Sequence, residues 1–157
     1  MAKVLIAYHS ESGNTEKMAK AVMKGAKNAK AEVALKRVGS FDVSELIEYD
    51  AVIVGSPTYY GNMAGCIKQM FDDSVKFHGQ LEGKVGAAFS SAANIGGGNE
   101  TTIRGILDAM LIHGMIIQGN HQGDHYGPVS IGAPDARAEK QCVALGERTA
   151  QLADKVK

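Results

Sequence analysis

The sequence predicts an α/β fold built on one five-stranded, parallel, doubly wound sheet. Three observations carry this. Short, continuously apolar runs of strand length recur, as strands buried on both faces require. Between them lie apolar stripes at helical spacing. The two kinds of segment alternate, which calls for right-handed crossovers and helices on both faces of the sheet.

Taken in order, Val4-Leu5-Ile6-Ala7-Tyr8 reads as strand one. Met18, Ala21, Val22, Gly25 and Ala26 form the stripe of a first helix, with Lys17, Lys20, Lys24 and Lys27 on its solvated side. Glu32 to Val38 is strand two, Val43 to Glu48 a short helix, and Ala51-Val52-Ile53-Val54-Gly55 strand three. Met63, Ile67, Met70 and Phe71 mark a second long helix, and Lys84 to Phe89 is strand four. Ile103, Ile106, Leu107, Met110 and Leu111 mark a third, ending at Gly114 as helices often end on glycine. Met115 to Gln118 is strand five, followed by a long Gly-rich loop and a last helix striped by Cys142, Leu145, Thr149, Leu152 and Val156.

With 157 residues, 45% of them apolar, the chain is expected to form one domain over residues 1–157, without repeats or linkers. Lys plus Arg equals Asp plus Glu at 17 each, so no field draws the chain to nucleic acid or an anionic membrane. No apolar run approaches the roughly 20 residues that span a bilayer, and the first residues do not resemble a signal peptide. A cytoplasmic protein is expected, with Cys66 and Cys142 reduced.

Ligands of open parallel sheets sit at the carboxyl ends of the strands. Three loops there are unusual: His9 to Asn14, Ser56 to Asn62, and Ser90 to Asn99. In the first, Ser10, Ser12, Gly13, Asn14 and Thr15 open a helix, where unpaired N–H groups and the dipole favour an anion such as a phosphate. The same residues also suit a plain helix cap by Ser10 or Ser12, with Thr15 and Glu16 in the first turn. The loop is neither a P-loop, which needs a lysine, nor G-x-G-x-x-G, and so nucleoside triphosphate hydrolysis is disfavoured. A receiver module of the same topology would need an acidic pair after strand one, where Tyr8-His9 stands.

Ser-x-Ser-Gly-Asn-Thr at residues 10–15, Pro57 to Met63, Phe89 to Glu100 and His113 to Met115 resemble, in that order, the motifs of the flavodoxin family of FMN proteins. The likeness runs over nearly the whole chain. It is nearest to the NAD(P)H:quinone oxidoreductases named for a tryptophan-repressor-binding protein. The resemblance implies a flavodoxin-like three-layer sandwich with strand order 2-1-3-4-5 and non-covalently held FMN. It places the phosphate in the Ser10–Thr15 loop and the ribityl hydroxyls at Ser56, Thr58 and Ser90, beside Pro57. Tyr59 and Tyr60 would face the flavin ring, and Gly61 could turn either its C=O or its N–H to flavin N5.

Ser91, Ala92, Asn94, Gly96 and Gly97 would wrap the pyrimidine end, where protein dipoles set flavin chemistry. By sequence alone the glycines are equally a flexible turn. The family places a histidine at the flavin rim where His113 stands, although a packed or helix-capping role fits its apolar stripe. His113, His121, His125 and Asp124 match no zinc spacing, and no metal is expected.

This chain also departs from those reductases. It lacks a longer insertion after strand two, has Ser12 where they have an aromatic residue, and has Phe77 and His78 where they have Trp. Its neutral charge departs from the acidic habit of electron-carrying flavodoxins. The expectation is an FMN-bearing electron carrier that serves a redox partner protein. The alternative is an NAD(P)H:quinone oxidoreductase, a two-electron enzyme whose pocket a homo-oligomer completes.

Overall fold

A computed structural model describes all residues, 1–157. The elements are β1 (Lys3–Tyr8), α1 (Asn14–Asn28), β2 (Glu32–Arg37), β3 (Ala51–Pro57), α2 (Gly65–Asp73), β4 (Val85–Ala92), α3 (Asn99–Ile112), β5 (Ile116–Ile117), β6 (Val129–Ile131) and α4 (Ala136–Val156). Tight 3₁₀ turns at Val43–Glu48 and Ser74–Phe77 complete the path. The first is held by a capping box, in which Asp42 accepts the Ser44 N–H at 2.8 Å and Glu45 reaches back to the Asp42 N–H at 3.2 Å.

The sheet order is β2-β1-β3-β4-β5, all parallel, as the alternation and the resemblance implied. Successive side chains of a strand point to opposite faces, and both faces of this sheet are covered. Val4, Ile6 and Tyr8 pack with Met18 and Val22 of α1 and Leu145 of α4. Leu5 and Ala7 pack in a second core with Ile67 of α2 and Ile103 and Ile106 of α3. The continuous apolar run of β1 is thus two alternating sets, each buried in its own layer.

The fifth position of the sheet is divided. β5 pairs with Val85 and Gly86 at the start of β4, then the chain leaves the sheet and returns as β6 against Ser90, Ser91 and Ala92. The segment expected as a loop therefore contains a strand. β6 is only three residues long and interrupted from β5, so it carries no periodicity that a sequence can display.

β3 and β4 also run further than expected, to Pro57 and Ala92, with Ser56 opposite Ser90 and Pro57 opposite Ser91. Polar residues continue these strands because their small hydroxyls find partners inside the sheet edge, as described below. No helix is long and apolar enough to cross a membrane.

Candidate functional site

The parallel sheet brings the three unusual loops to one edge, and hydrogen bonds tie them together. Thr15 Oγ1 meets Ser91 Oγ at 2.9 Å, joining the first loop to β4. Thr58 Oγ1 meets Ser90 Oγ at 2.9 Å and donates to Asn99 Oδ1 at 3.2 Å, joining the second loop to β4 and to the start of α3. Asn99 Nδ2 in turn donates to the Ser130 carbonyl at 3.2 Å, so β6 is wired to the same edge.

In the first loop, Ser10 is buried and its Oγ accepts the N–H groups of Gly13 at 3.1 Å and Glu16 at 3.3 Å. The N-cap position itself is held by Gly13, and Ser10 bonds the first turn from three residues before it. It leaves the anion-binding capacity intact, because the N–H groups of Glu11, Ser12, Asn14 and Thr15 donate to nothing within the chain. Four free donors at the positive end of a 15-residue helix suit a phosphate. Gly13 has a φ of 91° with open space around it, so its left-handed backbone, not crowding, is what requires glycine there.

Arg37, the last residue of β2, lies in register beside Tyr8. Its guanidinium donates to the Ser10 carbonyl, sits 3.7 Å from Glu16 and lies 5.7 Å from the centre of the Tyr8 ring. Lys20, and to a lesser degree Arg37, hold the Glu16 carboxyl below its usual range, so this carboxylate is charged at neutral pH. Sequence reading missed Arg37. The available signal was a charged residue at the carboxyl end of a strand adjacent to β1.

The second loop is a two-residue hairpin in which Tyr59 and Asn62 exchange N–H···O bonds of 2.9 and 3.1 Å. Tyr60 and Gly61, its corner, have φ values of 50° and 74°, as turns with two left-handed residues require. Tyr60 is fully exposed and Tyr59 about half exposed. The Gly61 carbonyl accepts from Thr101 Oγ1 at 2.6 Å, which turns it toward α3. In the third loop, Asn94 to Gly97 make an exposed turn closed by the Gly97 N–H on the Asn94 carbonyl at 3.1 Å.

Between the first two loops and β4 lies a cleft of about 280 Å³, lined by Glu11, Ser12, Asn14, Thr15, Pro57, Thr58, Tyr59, Ser91, Ala92, Ala93 and Gly132. Most of these are expected site residues. Glu11, Ala93 and Gly132 are additions, and Gly132 arrives only because β6 carries it there, its N–H bonded to the Ala92 carbonyl at 2.8 Å.

Other expected residues stand apart. Ser56 is fully buried, donating to the Pro57 carbonyl at 2.7 Å and accepting the Ala64 N–H at 2.9 Å. It anchors the entry to α2 and has no hydroxyl to spare for a ligand. Ser90 is fully buried beneath Thr58 and supports it instead of lining the cleft. Tyr60, Gly61, Asn94, Gly96 and Gly97 sit on the loops around the cleft without lining it.

Of the expected residues, His113 lies furthest from the cleft. It follows α3 at the end remote from the cleft, roughly 20 Å along the helix from Asn99. Its Nε2 bonds Ser74 Oγ at 2.7 Å and its ring stacks near Phe77, in a separate apolar cavity of about 640 Å³. Burial, and then the neighbouring His78, depress its pKa. Packing at a helix end explains it within this chain. Elsewhere, His125 Nδ1 pairs with the Asn120 carbonyl at 2.7 Å and Asp124 with Arg137 at 2.8 Å.

A flavodoxin sequence profile matches residues 6–103, more than half of the chain. The chain belongs to the flavodoxin family. Among its relatives is a protein of Archaeoglobus fulgidus named NAD(P)H dehydrogenase (quinone), 38% identical over 99% of this chain and 100% of that one. A protein of Aquifex aeolicus named flavodoxin is also 38% identical, over 96% of this chain and 86% of its own length. In three dimensions the chain is similar to a flavodoxin, WrbA-like protein from Agrobacterium tumefaciens, with a TM-score of 0.87 and 25% identity over the full length of both.

The cofactor of this flavodoxin-family chain is FMN. The edge fits such a group on its own terms. Unpaired helix-start N–H groups suit a phosphate, a cleft walled by hydroxyls suits a polyol, and an exposed tyrosine hairpin suits a flat ring.

Proposed function

We propose that the cleft at the carboxyl edge holds FMN and that the protein is an NAD(P)H-dependent quinone oxidoreductase of the cytoplasm. The observation that supports the site is the set of free N–H donors at Glu11, Ser12, Asn14 and Thr15, beside a cleft that reaches Thr58 and Tyr59. Those donors would take the phosphate. Thr58, fixed by Ser90 and Asn99, would present a hydroxyl to the ribityl chain. Tyr59 and Tyr60 would cover one side of the ring and exclude water there.

Bound FMN supplies a centre that accepts two electrons and a proton from a nicotinamide and passes them to a quinone. The residues of this chain hold and orient that centre. The Thr101 hydroxyl keeps the Gly61 carbonyl turned toward α3, which favours a fixed hairpin backbone beside the ring. The full-length likeness to the Archaeoglobus relative supports this activity over that of a pure carrier.

The carrier reading has its own support in the Aquifex relative named flavodoxin. One experiment separates the two. FMN-loaded protein is mixed anaerobically with NADH or NADPH and benzoquinone, and pyridine-nucleotide oxidation is followed. Sustained turnover that needs both FMN and quinone is expected. Protein that retains FMN yet shows no nicotinamide oxidation belongs with the carriers, and protein that retains none removes the site as well.

A further inference from the structure

We propose that Arg37 is a positioning residue for the phosphate end of the cleft, setting the direction of one of its anion-binding N–H groups. The inference rests on the reading that the first loop takes the FMN phosphate, and deepens it.

In a trans peptide the carbonyl of one residue and the N–H of the next point in opposite directions. The Arg37 guanidinium holds the Ser10 carbonyl, so it also fixes the Glu11 N–H on the opposite side of that plane. That N–H belongs to a residue lining the cleft and has no acceptor within the chain. Left alone, the peptide between Ser10 and Glu11 could rotate and point a carbonyl oxygen toward the anion, exchanging attraction for repulsion.

Arg37 is itself held on several sides. The Tyr8 ring lies under it at 5.7 Å, and Glu16, in the first turn of α1, lies 3.7 Å away. Its planar fork can address the carbonyl and the carboxylate together, which a lysine ammonium on a flexible stem cannot do with the same geometry. The side chain remains about half exposed, so its loss leaves no buried cavity. Its influence on the anion is therefore conveyed through the loop backbone, and long-range charge, which salt screens, is the minor part.

The test uses flavin-stripped full-length protein and two probes, FMN and riboflavin, which differ only in the phosphate. Quenching of flavin fluorescence gives both dissociation constants. For Arg37→Gln, FMN binding is expected to weaken about tenfold, the range of one charge-assisted hydrogen bond, with riboflavin binding changed by less than about twofold. The FMN deficit is expected to persist in about 0.5 M NaCl, where exposed charges are screened. Arg37→Lys, which keeps the charge but not the fork, is expected to recover only part of the affinity.

Unchanged FMN affinity in Arg37→Gln overturns the proposal. So does an equal loss for both flavins, which would indicate general loosening, or a loss that salt or lysine fully erases, which would indicate charge alone. If the unaltered protein does not bind FMN, the reading of the loop falls and this inference with it. Tight FMN binding that is indifferent to Arg37 removes only the inference.

Discussion

His113 shows how one buried side chain couples to pH. Its Nε2 is used by Ser74 and its Nδ1 is buried without a partner, so the ring is accommodated neutral. Burial and His78 lower its pKa, and Lys68, Asp72 and Asp108 line the same cavity. The unfolded chain takes up the proton at about 6.5, above the folded value. Below that pH the unfolded state binds more protons, so stability falls as pH drops and is regained as pH rises. Urea unfolding at pH 7 and pH 5 is expected to show this loss, and His113→Gln to show a smaller one. An identical pH dependence in the variant would mean that other groups carry it. At this scale sequence reading was weakest. It identified Ser56, Ser90 and His113 as polar residues in suggestive places, but the direction of a hydroxyl or a ring depends on partners remote in the chain. Ser56 is used by Ala64, Ser90 by Thr58 and His113 by Ser74.

Helices α1 and α4 cross so closely that two glycines form the contact. A Cβ on Gly25 would lie 1.9 Å from the Val143 carbonyl oxygen, and one on Gly146 would lie 2.0 Å from that of Val22. Gly25 sits on the apolar stripe read from the sequence, where glycine is otherwise a poor helix residue by roughly 1 kcal/mol against alanine. The close approach explains its presence. Gly25→Ala should gain helix propensity yet lose more by forcing the helices apart, for a net destabilisation of about 1–3 kcal/mol in chemical denaturation. A stabilised variant would show that the crossing yields easily. Elements of this kind, long and strongly periodic, were legible in the sequence, whereas β6 was not. Its three residues pair with β4 only because the chain comes back after its excursion from β5.

For the whole molecule, the site and the fold share their hydrogen bonds. Thr15–Ser91, Thr58–Ser90 and Asn99–Ser130 join segments that lie far apart in the chain, so a ligand at this edge reinforces tertiary contacts as it binds. By mass action, FMN at about 100 times its dissociation constant should add about 2.7 kcal/mol of stability. At roughly 2–4 °C per kcal/mol for a chain of this size, Tm should rise by about 5–10 °C. Thermal melts with and without FMN check this, and an unmoved Tm would argue against tight binding to the folded state. The strand and helix alternation, the burial of the sheet on both faces and the three loops that meet at its carboxyl edge were all legible along the chain. These follow from apolar spacing and chain order, which are local and survive without coordinates. Which residues face the cleft emerged with the folded chain. It buried Ser56, seated His113 in another cavity, brought in Gly132 through β6, and set Arg37 behind the Ser10 carbonyl. Those outcomes depend on strand register and on competition among hydrogen-bond partners, quantities defined only when distant segments are side by side.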